Sequence, residues 1–535
     1  MLLAAALSAI VLPLVLLVVF RMPAKYGMSI SALVVAGFAY GIWQMPDIVL
    51  AASALQGMHR AATIVWILLG AILLLKVLEA SGAMHRIKSG FETISPDMRV
   101  QAVLVGVVFV ALLEGLTGFG APVTIAAPLL VALGFRPIAA IVIGLIGDSV
   151  PVVFGAVGTP VVIGLSNVPG SDDPAMLQSV ARTVTMLDFA VAMLLPLIAV
   201  TVLVKMFGEH KQERSIREIR QVAPWALMVG LAYALSALTA SYVVSPELIS
   251  IIAGLITLVV AITSAHRNWL LDRTIAWRTH HEEVTVRGEA IRPMSLAMAW
   301  LPYGLVIVGL IMTRLVPAAQ SAVLAAGDAS WRAILGIESI ASQWSILYSP
   351  GTVMLLAAII AALVYRLSIA TVREVLVGTG GVVVAVSAAL IPTLIMLQMF
   401  ANSAHNTANL VAMPAFIAEQ LAAVFAGAWV LVAPVVGALG AFIAGSSTVS
   451  ALTMAGIQYA VALSSGMPTD LVLAQQLSGS AAGNMIAIHN IIGASAVVGI
   501  YHQEGNIIRR LLPVVGVYIA IGVVAACLLL SVGLV

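Results

Sequence analysis

Apolar runs of about twenty residues recur along the whole chain, each long enough to cross the hydrocarbon core of a bilayer as a helix. The clearest lie at 2–20, 27–43, 62–79, 100–117, 184–204, 223–243, 246–265, 294–315, 350–365, 375–399, 428–444 and 511–535. Two further zones, 118–165 and 445–500, are equally apolar but are interrupted by Gly, Pro, Ser, Thr and Asn. Of the 535 residues, 62% are hydrophobic and 9% are charged, against about 25% charged in a soluble domain. So few charges cannot cover a soluble protein of this length, which excludes cytosolic enzymes, nucleic-acid binders and disordered scaffolds. The alternating ten-residue stretches of a membrane barrel are absent. The expected class is therefore an all-α polytopic membrane protein with about 12–14 transmembrane helices. The single Cys527 excludes a disulfide framework, cysteine-ligated zinc and an iron–sulfur cluster. The first run has no basic start and a second span follows at once, so it reads as a span and not as a cleaved signal.

Basic residues give the orientation, because Lys and Arg concentrate in cytoplasmic loops. One alternating topology puts Arg21, Lys25, Arg86, Lys88, Arg99, the basic residues of 205–222 and 266–297, Arg366, Arg373, Arg509 and Arg510 on one side. Arg60, Arg182, Arg314 and Arg332 fall opposite, with Asp172 and Asp173, and both chain ends lie outside.

The two interrupted zones resemble each other. The first reads Glu114-Gly115-Leu116-Thr117-Gly118-Phe119-Gly120-Ala121-Pro122, then Pro137, then Gly147-Asp148-Ser149. The second reads Gly445-Ser446-Ser447-Thr448-Val449-Ser450, then Pro468, then Ser478-Gly479-Ser480, with the same interval from Pro137 to Ser149 as from Pro468 to Ser480. Matched small polar residues in two halves suggest paired discontinuous helices or re-entrant hairpins, as in transporters built from repeats. Crossing parity favours inverted repeats. The expected division is 1–98, 99–183 (first repeat), 184–427, 428–505 (second repeat) and 506–535.

Broken helices survive in lipid only where the freed backbone groups are buried in protein or line a wet cavity. Half-helix N-termini offer free N–H groups and partial positive charge, which suits an anion. Small residues also serve close helix packing, but two matched clusters favour a binding site. Ligand contacts are therefore expected at Gly118, Phe119, Gly120, Ala121, Ser149, Gly445, Ser446, Ser447, Thr448 and Asn484, between the zones near mid-membrane.

Ionisable groups within spans are rare and usually functional. Glu114 and Asp148 are candidates to carry a transported proton; the plainer alternative is a carboxylate that permanently accepts helix amides. His405 and His489 are weaker candidates, since a lone histidine is more often a satisfied structural group. No third ligand lies at zinc spacing. Asp188, Lys76 and Glu79 read as residues near span ends, the last two as a local pair, and His280-His281-Glu282-Glu283 as a solvated loop. No phosphate loop, hydrolase elbow or HExxH is found.

On these residues the chain resembles the lactate permease family, bacterial proton-linked carriers of lactate, glycolate and related 2-hydroxy monocarboxylates. The strongest segments are Leu113 to Val123 with Leu133-Gly134-Phe135, and Pro151-Val152-Val153-Phe154-Gly155-Ala156-Val157-Gly158-Thr159-Pro160. Gly445 to Ser450 and Gly483-Asn484-Met485-Ile486 are weaker. The resemblance implies an acidic residue at 447, a lysine at 484 and an asparagine at 148, where this chain has Ser447, Asn484 and Asp148. It also implies no histidine at the place of His405 or His489.

The expected function is proton symport of small organic monocarboxylates across the bacterial inner (plasma) membrane. Its partners are the organic anion, the proton and the lipid bilayer, without nucleic acid, metal or cofactor. A channel, or a carrier for a different small anion or solute, is the alternative. An enzyme is disfavoured because no nucleophile–base pair emerges.

Overall fold

The computed structural model describes residues 1–20, 22–118, 120–166, 168–171, 173–208, 214–271, 277 and 294–533. Phe119, Arg21, Asp172, Lys211 and most of the 266–297 loop, including His280 to Glu283, lie outside the described residues. Nearly every apolar run is helical. Among the described residues, nine helices are long and apolar enough to cross a membrane: Asp47–Ser81, Met98–Thr117, Pro137–Val162, Phe189–Phe207, Ile216–Val243, Pro246–His266, Leu296–Thr313, Ile369–Ala404 and Glu504–Val532. Shorter apolar helices at Leu2–Leu17, Ala121–Ala132, Pro350–Val364, Met413–Phe425 and Trp429–Ala444 supplement them. Twelve to fourteen crossings require that some of these shorter helices also span.

Their ends follow ordinary capping chemistry. The Asp97 carboxylate accepts from the Arg99 N–H at 2.8 Å, Ser368 caps the helix Ile369–Ala401, and Pro137 opens its helix at a position whose N–H has no intrahelical partner anyway. Among the described residues the only extended pairing is three isolated bridges between 328 and 345. That segment is seated on the Asp47–Ser81 helix, where Gln56 donates to the Ala341 carbonyl at 2.7 Å and His59 bonds Ser342 at 2.8 Å.

Burial separates the helices into a centre and a rim. The apolar window of Met98–Thr117 is wholly buried inside the protein, and that of Pro137–Val162 is 94% buried, against 28% for Leu296–Thr313 and for Glu504–Val532. Rim helices keep apolar side chains such as Leu33, Val243 and Leu363 exposed, as a bilayer permits. The most polar central helix is Thr469–Asn484, whose residues from Leu471 to Asn484 are all buried. It packs backbone to backbone against Trp429–Ala444: a methyl group at Gly479 or Gly483 would overlap the Pro434 or Ala438 carbonyl. This is a small-xxx-small contact. Its amide N–H groups find partners inside the protein, Gln475 donating to the Val430 carbonyl at 2.7 Å and Gln476 to Ser450 at 3.0 Å, while Gln475 Oε1 has no partner.

Both interrupted zones are broken where the glycines and prolines stand, and their elements follow the same order. The first runs Val110–Thr117, a break at Gly118 and Gly120, Ala121–Ala132, a turn at 133–136, Pro137–Ser149, a 3-10 turn Val150–Phe154 and Gly155–Val162. The second runs Trp429–Ala444, a turn at 445–446, Ser447–Ser465, a turn at 466–468, Thr469–Asn484, a turn at 485–487 and Ile488–Val497.

Three arginines bond groups on other segments. Arg99 bonds the Asp97 and Glu218 carboxylates, Arg86 donates to the Met294 carbonyl, and Arg510 reaches the Met206 carbonyl.

Candidate site between the two broken zones

Gly118 ends the helix Val110–Thr117 with φ 62°, ψ −168°, a conformation open in practice to glycine alone. Its α-carbon also lies against Ala156, which leaves no room for a side chain. The chain then re-enters a helix at Ala121. Gly445, with φ 63°, ends Trp429–Ala444; Ser446 follows in extended backbone and caps the next helix, accepting from the Val449 N–H at 3.4 Å. A third break lies at Ala156, Val157 and Gly158, all in the left-handed region (φ 46°, 60° and 72°). A β-branched residue there is rare and costs on the order of 1–3 kcal/mol, which marks such backbone as a functional hypothesis.

The three breaks converge. A narrow cleft is lined by Glu114, Gly118, Gly155, Ala156 and Thr159 from the first zone, and by Ser446, Ser447, Thr448 and Asn484 from the second. It encloses only about 10 Å³ in this conformation, room for about one water. The hydroxyls of Thr159 and Thr448 meet across it at 3.1 Å. Asn484 donates to Asp148 Oδ2 at 3.2 Å, and Asn490 holds the other face of Asn484, donating to its Oδ1 at 3.0 Å. Ser447 and Ser480 share a hydrogen bond.

Glu114 and Asp148 are both buried, and their carboxyls are hydrogen-bonding neighbours. Glu114 Oε2 and Asp148 Oδ1 have no partner. Unpaired buried carboxyl oxygens are costly and mark functional places. Gly155 completes the wall, since any side chain there would overlap the Glu114 carboxyl. The N-terminal amides of Ser447–Ser465 open on the same cleft, and a helix start leaves its first N–H groups without intrahelical partners. A carboxyl pair thus faces an anion-accepting helix end.

The expected contacts divide. Gly118, Ser446, Ser447, Thr448, Asn484 and Glu114 line the cleft, and Asp148 is one hydrogen bond behind it. Gly120 and Ala121 are buried behind the turn, Gly120 against Asn490. Ser149 bonds the Ile146 carbonyl of its own helix at 2.6 Å and does not line the cleft. Gly445 lies against the His489 imidazole, which is hydrogen-bonded to the Gly445 backbone and lines a separate pocket with Met28, Thr393 and Phe442. His405 is elsewhere, bonding Ser339 at 2.7 Å beside the 328–345 segment.

Thr159, Gly155, Ala156, Asn490 and Ser480 join the site without having been singled out as contacts, although the first three lie in the Pro151–Pro160 segment. Asp188 stands at the end of the span Phe189–Phe207, as the sequence reading has it, but it is not an exposed residue there. It is buried, bonded to Ser478 and, at 3.2 Å, to Tyr518. Its signal was an acid enclosed by Met186, Leu187, Phe189 and Ala190.

A family model described as L-lactate permease matches residues 3–533. The chain is 28% identical to an L-lactate permease of Bacillus subtilis, with 89% of this chain and 86% of the relative covered. It is 27% identical to an L-lactate permease of Salmonella typhimurium, over 95% and 87% of the two chains. The glycolate permease GlcA of Escherichia coli is 26% identical, over 95% and 87%. No solved structure matches.

Proposed function

Because this chain belongs to the L-lactate permease family and is a multi-pass inner-membrane protein, we propose that it is a secondary transporter which moves a small monocarboxylate, such as lactate or glycolate, together with a proton. The observation that carries this reading is the cleft itself, where Glu114, backed by Asp148, faces the hydroxyls and helix N-terminus of Ser446 to Thr448. The substrate carboxylate is held by the first N–H groups of Ser447–Ser465 and by the Thr448 and Thr159 hydroxyls, the interaction that favours an anion at a helix start. Asn484 orients Asp148.

Coupling follows from charge. A carboxylate about 4 Å from a bound anion repels it by about 4 kcal/mol at an effective dielectric of about 20. A proton shared by Glu114 and Asp148 removes that repulsion and lets one carboxyl donate to the other. Anion and proton therefore bind together and leave together. Alternating access follows if the two zones are inverted repeats that rock about the cleft; their matched order of elements supports the repeat, and crossing parity the inversion.

Proteoliposomes test this reading. An inward proton gradient should drive accumulation of labelled lactate or glycolate, and internal unlabelled substrate should accelerate uptake of the label by counterflow. Flux without counterflow would identify a channel, and indifference to the proton gradient would remove the symport step.

A further inference from the structure

We propose that Asp188 is a second proton-bearing carboxyl of the transport cycle, linked to the substrate cleft through the rigid helix Thr469–Asn484. The inference rests on the transport reading above and adds to it a residue outside the cleft. Asp188 stands at the joint between Pro174–Leu187 and Phe189–Phe207, where the Ala192 N–H still bonds its carbonyl at 2.7 Å. Its carboxyl is buried and receives two hydroxyls from different helices, Ser478 on Thr469–Asn484 and Tyr518, at 3.2 Å, on Glu504–Val532. Among the described residues no Lys, Arg or His bonds or ion-pairs with it. The titratable groups that face it are Tyr518 and Tyr233.

Two features tie this carboxyl to the cleft. Ser478, Ser480 and Asn484 lie on one helix, and they serve Asp188, the cleft residue Ser447 and Asp148 respectively. Six residues of helix rise about 9 Å, so the two carboxyl sites are held at opposite ends of one short lever. Gly479 and Gly483 bring that lever against the backbone of Trp429–Ala444, which favours its moving as a unit. Tyr233 forms the second link. It faces both Asp188 and Glu114, and it lines a small cavity with Val107, Gly147, Val150 and Ala192, the last a turn beyond Asp188.

Hydrogen bonds to a carboxylate are of the strong, charge-assisted kind. While Ser478 and Tyr518 both donate, Asp188 holds its charge. A shift of the Thr469–Asn484 helix that follows substrate entry at Asn484 withdraws the Ser478 hydroxyl, and the carboxylate then takes up one proton to become neutral. Reversal of the shift returns that proton to water. Asp188 thus registers the occupancy of a cleft that it does not touch.

The test uses the full chain in proteoliposomes with labelled L-lactate and glycolate as probes. Asp188→Asn is isosteric and permanently neutral. It should keep substrate exchange within about threefold of the wild type, because exchange needs only the loaded carrier to shuttle. It should lose gradient-driven accumulation by tenfold or more, because net transport requires proton release. Asp188→Glu should recover accumulation. An Asp188→Asn protein that accumulates as the wild type does overturns the proposal. If that variant fails to fold, Ser478→Ala and Tyr518→Phe each remove one hydroxyl and leave the carboxyl. Both should move the pH of half-maximal accumulation, and an unmoved profile in both overturns the proposal. Wild-type vesicles that neither exchange nor accumulate overturn the transport reading itself, and this inference with it.

Discussion

Asn484 Nδ2 donates to Asp148 Oδ2 at 3.2 Å, joining the C-terminal ends of two buried helices 336 positions apart in the chain. The bond crosses from one broken zone to the other, behind the wall of the cleft. It leaves Asp148 Oδ1 without a partner, so this amide and the Glu114 carboxyl are what hold the Asp148 side chain. Removing the amide with Asn484→Ala should cost about 1.5–3 kcal/mol, the range for hydrogen bonds to charged groups. Asn484 also lines the cleft, so substrate affinity should fall as well, by about tenfold. Thermal-shift titration of the purified variant with lactate or glycolate measures it, and undiminished affinity contradicts a role at the site.

The pH response should test the two carboxyls as a pair. If a shared proton is needed for anion binding, affinity is highest at low pH and falls as pH rises through the titration of the pair. Asp148→Asn should then bind substrate but lose much of that dependence, as should Glu114→Gln. Uptake measured from pH 5.5 to about 8.5, a span centred on neutrality, decides this. A full pH response in both variants excludes the pair as the coupling site.

Gly445→Ala should abolish transport and lower the melting temperature. The added methyl overlaps the His489 ring, and the positive φ of 63° is strained for alanine. His489→Ala removes the steric part and leaves the backbone part, about 1–2 kcal/mol. The double variant should therefore melt above Gly445→Ala alone. Equal melting temperatures would show that His489 is not what the glycine accommodates.

Arg99 is buried, and its guanidinium holds Asp97 at 2.6 Å and Glu218 at 2.9 Å. Arg99→Met leaves both carboxylates without their cation, a loss of about 3–5 kcal/mol for a broken buried pair. Arg99→Lys should recover only part of it, because an ammonium cannot reproduce the planar fork. Unfolding of the detergent-solubilised variants reads this directly; a Met variant as stable as the wild type argues against the network.

Single cysteines placed between 214 and 222, in a Cys527→Ser background, should resist an impermeant thiol reagent added to intact cells and react once the membrane is opened. Labelling from outside reverses the orientation of every helix.

The sequence by itself determined the elements. A run of twenty apolar residues has to satisfy its own backbone in lipid, and only a helix does so within one segment. The breaks were equally legible, because Gly118, Gly445, Pro137 and Pro468 act on local backbone geometry whatever surrounds them. The carboxyls Glu114 and Asp148 announced themselves by charge in an apolar context. Tertiary structure alone decided which of these meet. Ser149 and Ser447 look alike in sequence, yet Ser149 turns to its own helix and Ser447 to the cleft. His405 went to the 328–345 segment and His489 behind the Gly445 turn. Asp188 read as the edge of a span because the burial of one carboxyl depends on helices hundreds of residues away. Periodicity and turn chemistry are short-range properties of the chain; partnership across 336 positions is set by packing.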